Sequence, residues 1–158
     1  MKSNIIFKPI GEVQSDFKQN EVRIHTMRRV MTLASLVIDP RFNVALDGIE
    51  SYSHLIVIYH MHRVKGTRGL KVHPQGIKEI PKLGVFATRS PYRPNPIGVT
   101  VVKLLERNSN ILKAKGLDAI DGSPIIDIKP YTYADIKGKI CTPEWLFPRK
   151  TNSVGHTN

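Results

Sequence analysis

Short apolar runs separated by turn residues recur along the chain, and little helical periodicity lies between them. Residues 55–59 (LIVIY) are continuously apolar, which predicts a central strand buried on both faces. In residues 111–117, Leu112, Ala114 and Gly116 share one face opposite two lysines, the alternation of a half-exposed strand. Further strand-like runs span residues 5–13, 31–38, 84–87, 98–105 and 125–129, with a predicted helical turn at 43–49. About seven strands predict an all-β fold, either an antiparallel β-barrel or a compact sandwich.

The run at residues 125–129 places two charged side chains on one side of a strand. Within it, Ile126 and Ile128 alternate with Asp127 and Lys129. Because successive side chains of a strand point to opposite faces, we expect Asp127 and Lys129 to share a face on either side of Ile128.

The length of 158 residues fits one domain with a proper hydrophobic core, so we expect a single domain over residues 1–158. Cys141 is the one cysteine, which excludes an internal disulfide and a cysteine-based zinc site. No stretch approaches the roughly 20 apolar residues of a membrane span, and the first apolar run is too short for a signal sequence. We therefore expect a soluble cytoplasmic protein with no membrane partner.

Positive charge is concentrated in one part of the chain. The sequence has 24 Lys and Arg against 13 Asp and Glu, a formal net charge of +11. The excess peaks in residues 63–93, here called the basic stretch, which contain eight basic residues and a single acidic one, Glu79. Such a field attracts polyphosphate ligands such as RNA, although a solubilising surface would have the same composition.

Several motifs that would define another chemistry are absent. The chain has no GxGxxG, GxxxxGK[ST] or GxSxG, which argues against a Rossmann nucleotide fold, a P-loop NTPase and a hydrolase elbow. His60 and His62 could chelate a metal from one strand face, but no third ligand completes the set. Asp118, Asp121 and Asp127 could hold magnesium, yet Asp121 starts a hairpin turn signal, and turn aspartates normally bond their own backbone. We therefore expect no metal.

Residues 89–98 (RSPYRPNPIG), here called the proline loop, contain three prolines within six positions. Proline fixes its own φ and restricts the residue before it, so this loop is stiff without any hydrogen-bond ladder. Strands are predicted on both sides of it, which places the loop at one end of the sheet. A stiff polar loop that projects Arg89, Arg93 and Asn95 is typical of a binding site.

Three long segments resemble one family of enzymes. Residues 84–98 (GVFATRSPYRPNPIG), 116–131 (GLDAIDGSPIIDIKPY) and 51–62 (SYSHLIVIYHMH) are similar to the TsaA/TrmO family. The resemblance covers most of the chain and implies a small antiparallel β-barrel with short helical turns, a methyltransferase without a Rossmann fold. It also implies S-adenosylmethionine as methyl donor, N6 of threonylcarbamoyladenosine beside the tRNA anticodon as acceptor, and a homodimer with the cofactor near the interface.

The resemblance also implies which residues contact the cofactor. Arg89 would pair with its carboxylate, a charge-assisted bond of about 1.5 to 3 kcal/mol. The turn at residues 120–123 would present backbone donors and acceptors to the adenine edge. The full expected set is His60, Met61, Arg89, Val101, Ile120, Asp121, Gly122 and Ser123.

Arg93, Asn95, Lys129 and Tyr131 are the residues expected to contact the substrate, because cations suit phosphate or a carboxylate and a phenol ring stacks on a base. The expected catalytic set is Asp127, Lys129, Tyr131 and Asn95. Methyl transfer to N6 requires alignment and loss of a proton, so a base within hydrogen-bond reach would help. Asp127, Asp121, His60 and Tyr131 are all candidates for it.

Two of these assignments have structural alternatives. Asn95, between two prolines, would cap a turn, and Tyr131 would close the barrel end.

Residues 21–30 (EVRIHTMRRV) lack the proline and glutamine of the corresponding cofactor loop in bacterial members, so contacts from Ile24, His25 or Thr26 rest on position alone. Residues 132–158 predict a short C-terminal extension without a separate domain.

Two other function classes fit the same sequence. A non-catalytic RNA-binding barrel would explain the net charge. A methyltransferase acting on a small molecule or on another nucleic acid would bind the same donor. Binding of S-adenosylmethionine separates the first class from the enzyme, and methyl transfer to tRNA separates the second.

Overall fold

Six strands form a closed antiparallel barrel in the computed structural model, which describes residues 5–16, 32–66, 69–136 and 138–146. The strands are β1 Gly11–Ser15, β2 Leu33–Ile38, β3 His54–His60, β4 Lys71–Val72, β5 Leu83–Gly84, β6 Ile97–Asn108, β7 Ile111–Lys115 and β8 Pro124–Pro130. In the barrel they follow the order β1-β2-β7-β6-β3-β8, and β4 and β5 form a separate two-stranded sheet. The barrel confirms the predicted all-β fold and decides against a sandwich.

The central strand β3 is buried on one face only. Leu55, Val57 and Tyr59 point into the barrel and are almost inaccessible, whereas Ile56 and Ile58 between them are partly exposed. The prediction of a strand buried on both faces is therefore wrong. A closed barrel is a single sheet, so its outer face is covered only where another element packs on it.

The alternation predicted for β7 is confirmed. Leu112 and Ala114 are fully buried in the barrel, and Lys113 is exposed. The strand ends at Lys115, two residues earlier than predicted, because Gly116 adopts a left-handed φ of 98° that interrupts the strand.

A β-bulge in β8 changes which isoleucine faces the core. Asp127 pairs with Ile58 but Ile125 pairs with Tyr59, so Ile126 is an extra residue in the ladder. The inward residues are Ile125, which is fully buried, and Ile128, which packs on the core. The strict alternation predicted for residues 125–129 is therefore interrupted at Ile126.

Residues 84–87 do not form the predicted strand. Val72 pairs with Leu83 in a small sheet outside the barrel, and a 3-10 helix, Val85–Ala87, follows. Its end is closed locally, because the backbone N–H and the hydroxyl of Thr88 both donate to the carbonyl of Val85. The proline loop therefore joins a 3-10 turn to β6 instead of joining two barrel strands.

Other predicted boundaries shift for local reasons. β1 begins at Gly11, shortly after Pro9, which supplies no ladder donor; Ile5, Ile6 and Phe7 are exposed, whereas Ile10 packs on the core. The run at 31–38 is β2 from Leu33 onward, and Met31 lies outside the described residues. The helical turn at 43–49 is present as two 3-10 helices, Pro40–Leu46 and Ile49–Ser51. In the described part of the chain, no helix has the length and apolarity needed to span a membrane.

Arg107, near the end of β6, anchors these 3-10 helices to the barrel. Its guanidinium donates to the carbonyl of Leu46 at 2.9 Å and to carboxylate oxygens of Asp47 at 3.1 Å and Glu50 at 3.2 Å. The hydrogen bond to Asp47 is the main cause that raises the pKa of Arg107; burial opposes the rise, and the hydrogen bond to Glu50 adds to it. The clamp lies at the opposite end of β6 from the proline loop.

We expect Gly98→Ala to lower the free energy of unfolding by about 1 to 3 kcal/mol, as overpacking typically does. Gly98 lies opposite Tyr59 in the ladder, and a Cβ at this position would overlap the Tyr59 ring. Urea titration measures the change. Gly84→Ala is the control, because an added Cβ there meets nothing within 4 Å at an ordinary φ of −55°. Equal stability of the two variants would contradict the prediction.

Candidate functional site

The proline loop and the end of β3 meet at one end of the barrel. His60 pairs with Ile97, and the backbone N–H of Met61 donates to the carbonyl of Pro96 at 2.8 Å. The His60 side chain is exposed, whereas Met61 is half-buried and packs against the core. Of these two predicted cofactor residues, His60 is thus the one that reaches solvent from this end.

The 120–123 turn lies at the same end. The hydroxyl of Ser123 is 3.4 Å from Nδ1 of His62, just beyond β3, and it donates to the carbonyl of Ile120 at 2.6 Å. Gly122 has a φ of 73°, as the predicted turn requires. Asp121, however, accepts from the backbone N–H of Ser15 in β1 at 3.0 Å, so it ties the turn to the barrel instead of bonding its own backbone as predicted.

His62 was considered above only as a metal ligand. Burial is the main cause that lowers its pKa, the positive charges of Arg63 and His60 add to the effect, and Asp121 opposes it. The ring is therefore mainly neutral at pH 7 and can share a hydrogen bond with Ser123. Among the described residues no group of three His, Cys, Asp or Glu side chains could hold a metal ion.

Arg89 begins the proline loop and reaches β6. Its Nη2 donates to the carbonyl of Val99 at 2.7 Å, and its side chain is exposed. No carboxylate among the described residues pairs with Arg89. The other guanidinium N–H groups can therefore bind an anion beside the outward-facing side chains of Val99 and Val101, each 44% exposed.

The outer face of the barrel beside Arg89 combines an apolar patch with an ion pair. Two rows cross it in register, Val99–Ile58–Asp127 and Val101–Ile56–Lys129. Nζ of Lys129 lies 2.6 Å from Oδ2 of Asp127, so these side chains share a face as predicted. Below, "the outer face" means these six residues.

Tyr131 lies far from the proline loop within one chain. Its backbone N–H donates to the carbonyl of His54 at 3.0 Å, and its ring meets the His54 ring edge-on at 6.5 Å between centroids. His54 and His60 are the two ends of β3, about 20 Å apart at the usual rise of a strand. The position agrees with the alternative that Tyr131 closes the barrel end, and it separates Tyr131 from His60.

Asn95 is exposed on the proline loop, as predicted, whereas Arg93 is only partly exposed. The guanidinium carbon of Arg93 lies 5.9 Å from the centroid of the Phe86 ring. Asn95 uses its backbone carbonyl, not its side chain, to close a turn with the N–H of Ile97. Its exposed amide makes no hydrogen bond to a described residue, which argues against the capping alternative and leaves the amide available to a ligand.

Asp118 connects three of these segments from inside the barrel, a role that the sequence interpretation missed. Its Oδ1 accepts from the hydroxyl of Thr100 at 2.5 Å and from that of Tyr59 at 3.1 Å. Tyr59 precedes His60, and Thr100 lies between Val99 and Val101. Asp118 itself leads into the 120–123 turn. Its position between the buried residues 117 and 119 was the available signal, because a carboxylate in a buried run needs partners.

An open cleft of about 600 Å³ lies on another side of the barrel. It is bounded by β1, β2 and β7, and Asp121 and Gly122 are the predicted site residues that line it. Arg89, Asp127 and Lys129 lie elsewhere, so the predicted chemistry is not concentrated in this cleft.

The fold and the site define a class of protein: a small closed β-barrel with a stiff cationic loop at one end and an ion pair on its outer face. The family model described as "tRNA-methyltransferase O N-terminal domain" matches residues 12–136, and the chain belongs to this family. The resemblance to the TsaA/TrmO family is thereby confirmed.

Individual relatives agree with this assignment. A probable S-adenosyl-L-methionine-binding protein of Pyrococcus abyssi is 46% identical over 80% of this chain and 68% of the relative. The tRNA (adenine(37)-N6)-methyltransferase of Escherichia coli is 44% identical over 55% of this chain and 39% of that protein. The crystal structure of TrmO from Pseudomonas aeruginosa superposes with a TM-score of 0.74 at 30% identity, covering 92% of this chain. This chain spans 63% of the TrmO chain.

Proposed function

We propose that this protein is a cytoplasmic methyltransferase that moves a methyl group from S-adenosylmethionine to N6 of threonylcarbamoyladenosine, beside the anticodon of tRNA. The observation that carries the proposal is the meeting of three segments at one barrel end, where Pro96 bonds Met61 and Ser123 contacts His62. The names of relatives support both the methyl donor and the tRNA acceptor of this proposal. Some relatives are called S-adenosyl-L-methionine-binding proteins, and others are called tRNA (adenine(37)-N6)-methyltransferases.

The residues at this end fit the parts of the donor. The guanidinium of Arg89, held by the Val99 carbonyl, binds the α-carboxylate. The outward side chains of Val99 and Val101 are exposed and would pack against apolar parts of the donor, and the backbone of the 120–123 turn would bind the adenine edge. When bound, S-adenosylmethionine supplies a methyl group attached to a positively charged sulfur.

The outer face supplies the acid–base chemistry. Oδ2 of Asp127 would take the N6 proton as N6 bonds to the methyl carbon, while the bond from that carbon to the donor sulfur breaks and S-adenosylhomocysteine leaves as a neutral thioether. Lys129, at 2.6 Å, holds that carboxylate in place, and Asn95 and Arg93 bind the acceptor nucleoside. No covalent enzyme intermediate is required, so the protein acts mainly by alignment.

The same proposal includes a homodimer. Tyr131 lies about 20 Å along β3 from His60, too far for one chain to place both on one nucleoside. The partly exposed apolar residues of the outer face are suited to contact a second copy. Packing through this face brings Tyr131 of one copy toward the proline loop of the other.

The basic stretch supplies the surface for tRNA. The side chains of Arg63, Lys65, Lys71, Lys78 and Lys82 are all exposed. Lysines and arginines that neutralise phosphates release counterions, which gives affinity for RNA whatever its sequence.

Calorimetric titration with S-adenosylmethionine tests the proposal. We expect wild-type protein to bind and Arg89→Ala to bind about tenfold to a hundredfold more weakly, the equivalent of one lost charge-assisted bond. Arg63→Ala is the matched control, because Arg63 is exposed in the same basic stretch but does not bond the site strands.

Failure of the folded wild-type protein to bind the donor would leave the non-catalytic RNA-binding barrel. Donor binding without methyl transfer to tRNA would point to a methyltransferase for a small molecule or another nucleic acid. Equal weakening in both arginine variants would show that Arg89 acts only through the general positive field.

A further inference from the structure

We propose that Phe86 and Arg93 form a stacking platform that holds an unpaired base of the RNA substrate. The inference rests on the proposed function for the identity of its ligand, and it adds Phe86, as a partner of Arg93, to the residues that contact the RNA. Neither the cofactor residues nor the ion pair of the outer face takes part.

Phe86 is an exposed aromatic ring on a rigid support. Its side chain is 75% exposed, although it lies in the short 3-10 helix Val85–Ala87. Val85 is buried and donates to the carbonyl of Leu70 at 2.9 Å, while Thr88 closes the other side of the turn with two hydrogen bonds. Because the backbone is already fixed, little entropy is lost when a flat ligand covers the ring.

Arg93 gives the ring a cationic neighbour. Its guanidinium carbon lies 5.9 Å from the ring centroid, within the range of a cation–π contact. No carboxylate among the described residues neutralises Arg93. Bases that are splayed out of a helix stack on aromatic rings and on guanidinium planes, and arginine also binds phosphate.

Charge around the platform favours RNA over a protein partner. Lys71 pairs with Gly84, two residues before Phe86, and Lys82 is exposed nearby in the chain. A second copy docked on Phe86 would set these cations against their equivalents. A polyanion with unpaired bases instead meets both the exposed apolar ring and the positive charges.

The chain contains a matched control for this arrangement. Phe42 is 38% exposed, and the guanidinium carbon of Arg41 lies 5.9 Å from its ring, the same distance as in the Phe86 pair. Arg41, however, is paired with Asp39 at 2.6 Å, and hydrogen bonds from Arg41 lower the pKa of Asp39 to about 2. This pair therefore has the aromatic and the cation without the net positive field.

The test measures RNA affinity without S-adenosylmethionine, using a fluorescent RNA hairpin with an unpaired adenine in its loop and a fully paired RNA of equal charge. We expect Phe86→Ala to weaken hairpin binding about tenfold, as expected for one lost base–aromatic stack, and to leave duplex binding unchanged. Phe86→Trp retains hairpin affinity, and Phe42→Ala changes neither. Circular dichroism checks that each variant is folded.

Three results would overturn the inference. Phe86→Ala could leave hairpin affinity unchanged, or it could weaken duplex and hairpin binding equally, which would reduce Phe86 to a structural role. Alternatively, ultracentrifugation could show that Phe86→Ala dissociates an oligomer, which would make the ring a contact between copies.

Donor titration of the same variants separates this inference from the proposed function. Phe86→Ala is expected to keep the wild-type affinity for S-adenosylmethionine. If wild-type protein bound no donor while hairpin affinity still depended on Phe86, the platform would stand and the methyltransferase would not.

Discussion

Asp127→Asn is expected to reduce kcat for methyl transfer to tRNA by about 10² to 10⁴-fold, the usual contribution of a general base. Asparagine keeps the shape of the side chain but cannot take the N6 proton. The affinity for S-adenosylmethionine should stay near the wild-type value, because the donor contacts that we propose are Arg89 and the 120–123 turn. Transfer of a radioactive methyl group to tRNA, measured at saturating donor, gives kcat and KM separately.

Glu106→Gln provides the matched control for Asp127→Asn. Glu106 forms a comparable exposed ion pair, with Lys113 at 2.8 Å, on a part of β6 away from the outer face. Loss of the Glu106–Lys113 ion pair should leave kcat unchanged, because the pair lies away from the outer face. It should also leave the protein folded, because exposed ion pairs contribute little to stability. If Asp127→Asn had the wild-type kcat, Asp127 would not be the general base. Variants of Asp121, His60 and Tyr131 would then show which of these residues is the base.

Asp118→Ala is the second change with a large expected effect. It removes the acceptor that the hydroxyls of Tyr59 and Thr100 share, in a place where both residues are at most 5% exposed. We expect the free energy of unfolding to fall by about 1 to 3 kcal/mol. We also expect donor affinity to fall at least about tenfold, because Asp118 keeps the end of β3, β6 and the 120–123 turn in register.

The effect on donor affinity distinguishes positioning from simple loss of stability. Arg107→Ala should lower the melting temperature by removing the clamp on the 3-10 helices at the far end of β6, yet leave donor affinity unchanged. Asp118→Asn should recover part of the affinity, because its amide oxygen still accepts hydrogen bonds. If Asp118→Ala binds the donor normally while it is less stable, Asp118 has only a structural role.

Local patterns were sufficient to predict much of the barrel. The apolar run of β3 and the alternation of β7 identify strands because they reflect burial directly. The shared face of Asp127 and Lys129 follows from strand geometry alone. In contrast, the sequence offers no signal for the bulge at Ile126, because an extra residue becomes visible only when the paired strand is known. The prediction of a strand at 84–87 was wrong because the Thr88 hydroxyl stabilises a turn there.

The candidate site was less predictable than the fold. Family resemblance was needed to predict donor contacts at Arg89 and the 120–123 turn, whereas the stiffness of the proline loop follows from its three prolines. Asp118 was considered only as a candidate magnesium ligand. Its hydrogen-bond partners Tyr59 and Thr100 lie far from it in sequence, so their contacts with Asp118 could not be predicted. Contacts between distant segments depend on barrel register, which a single sequence does not contain. The positions expected for Ile24, His25 and Thr26 lie outside the described residues.

Closure of the barrel also affects how the protein is made. Gly11 in β1 pairs with Ile125 in β8, and β8 pairs with β3 as well, so the last barrel strand joins two strands synthesised much earlier. While the chain leaves the ribosome, the edges of β1 and β3 that β8 will occupy remain open. Open strand edges are sites where nascent chains pair with one another, and folding through such distant pairings is slow. The nascent chain is therefore most prone to pair with other chains before residues 124–130 emerge.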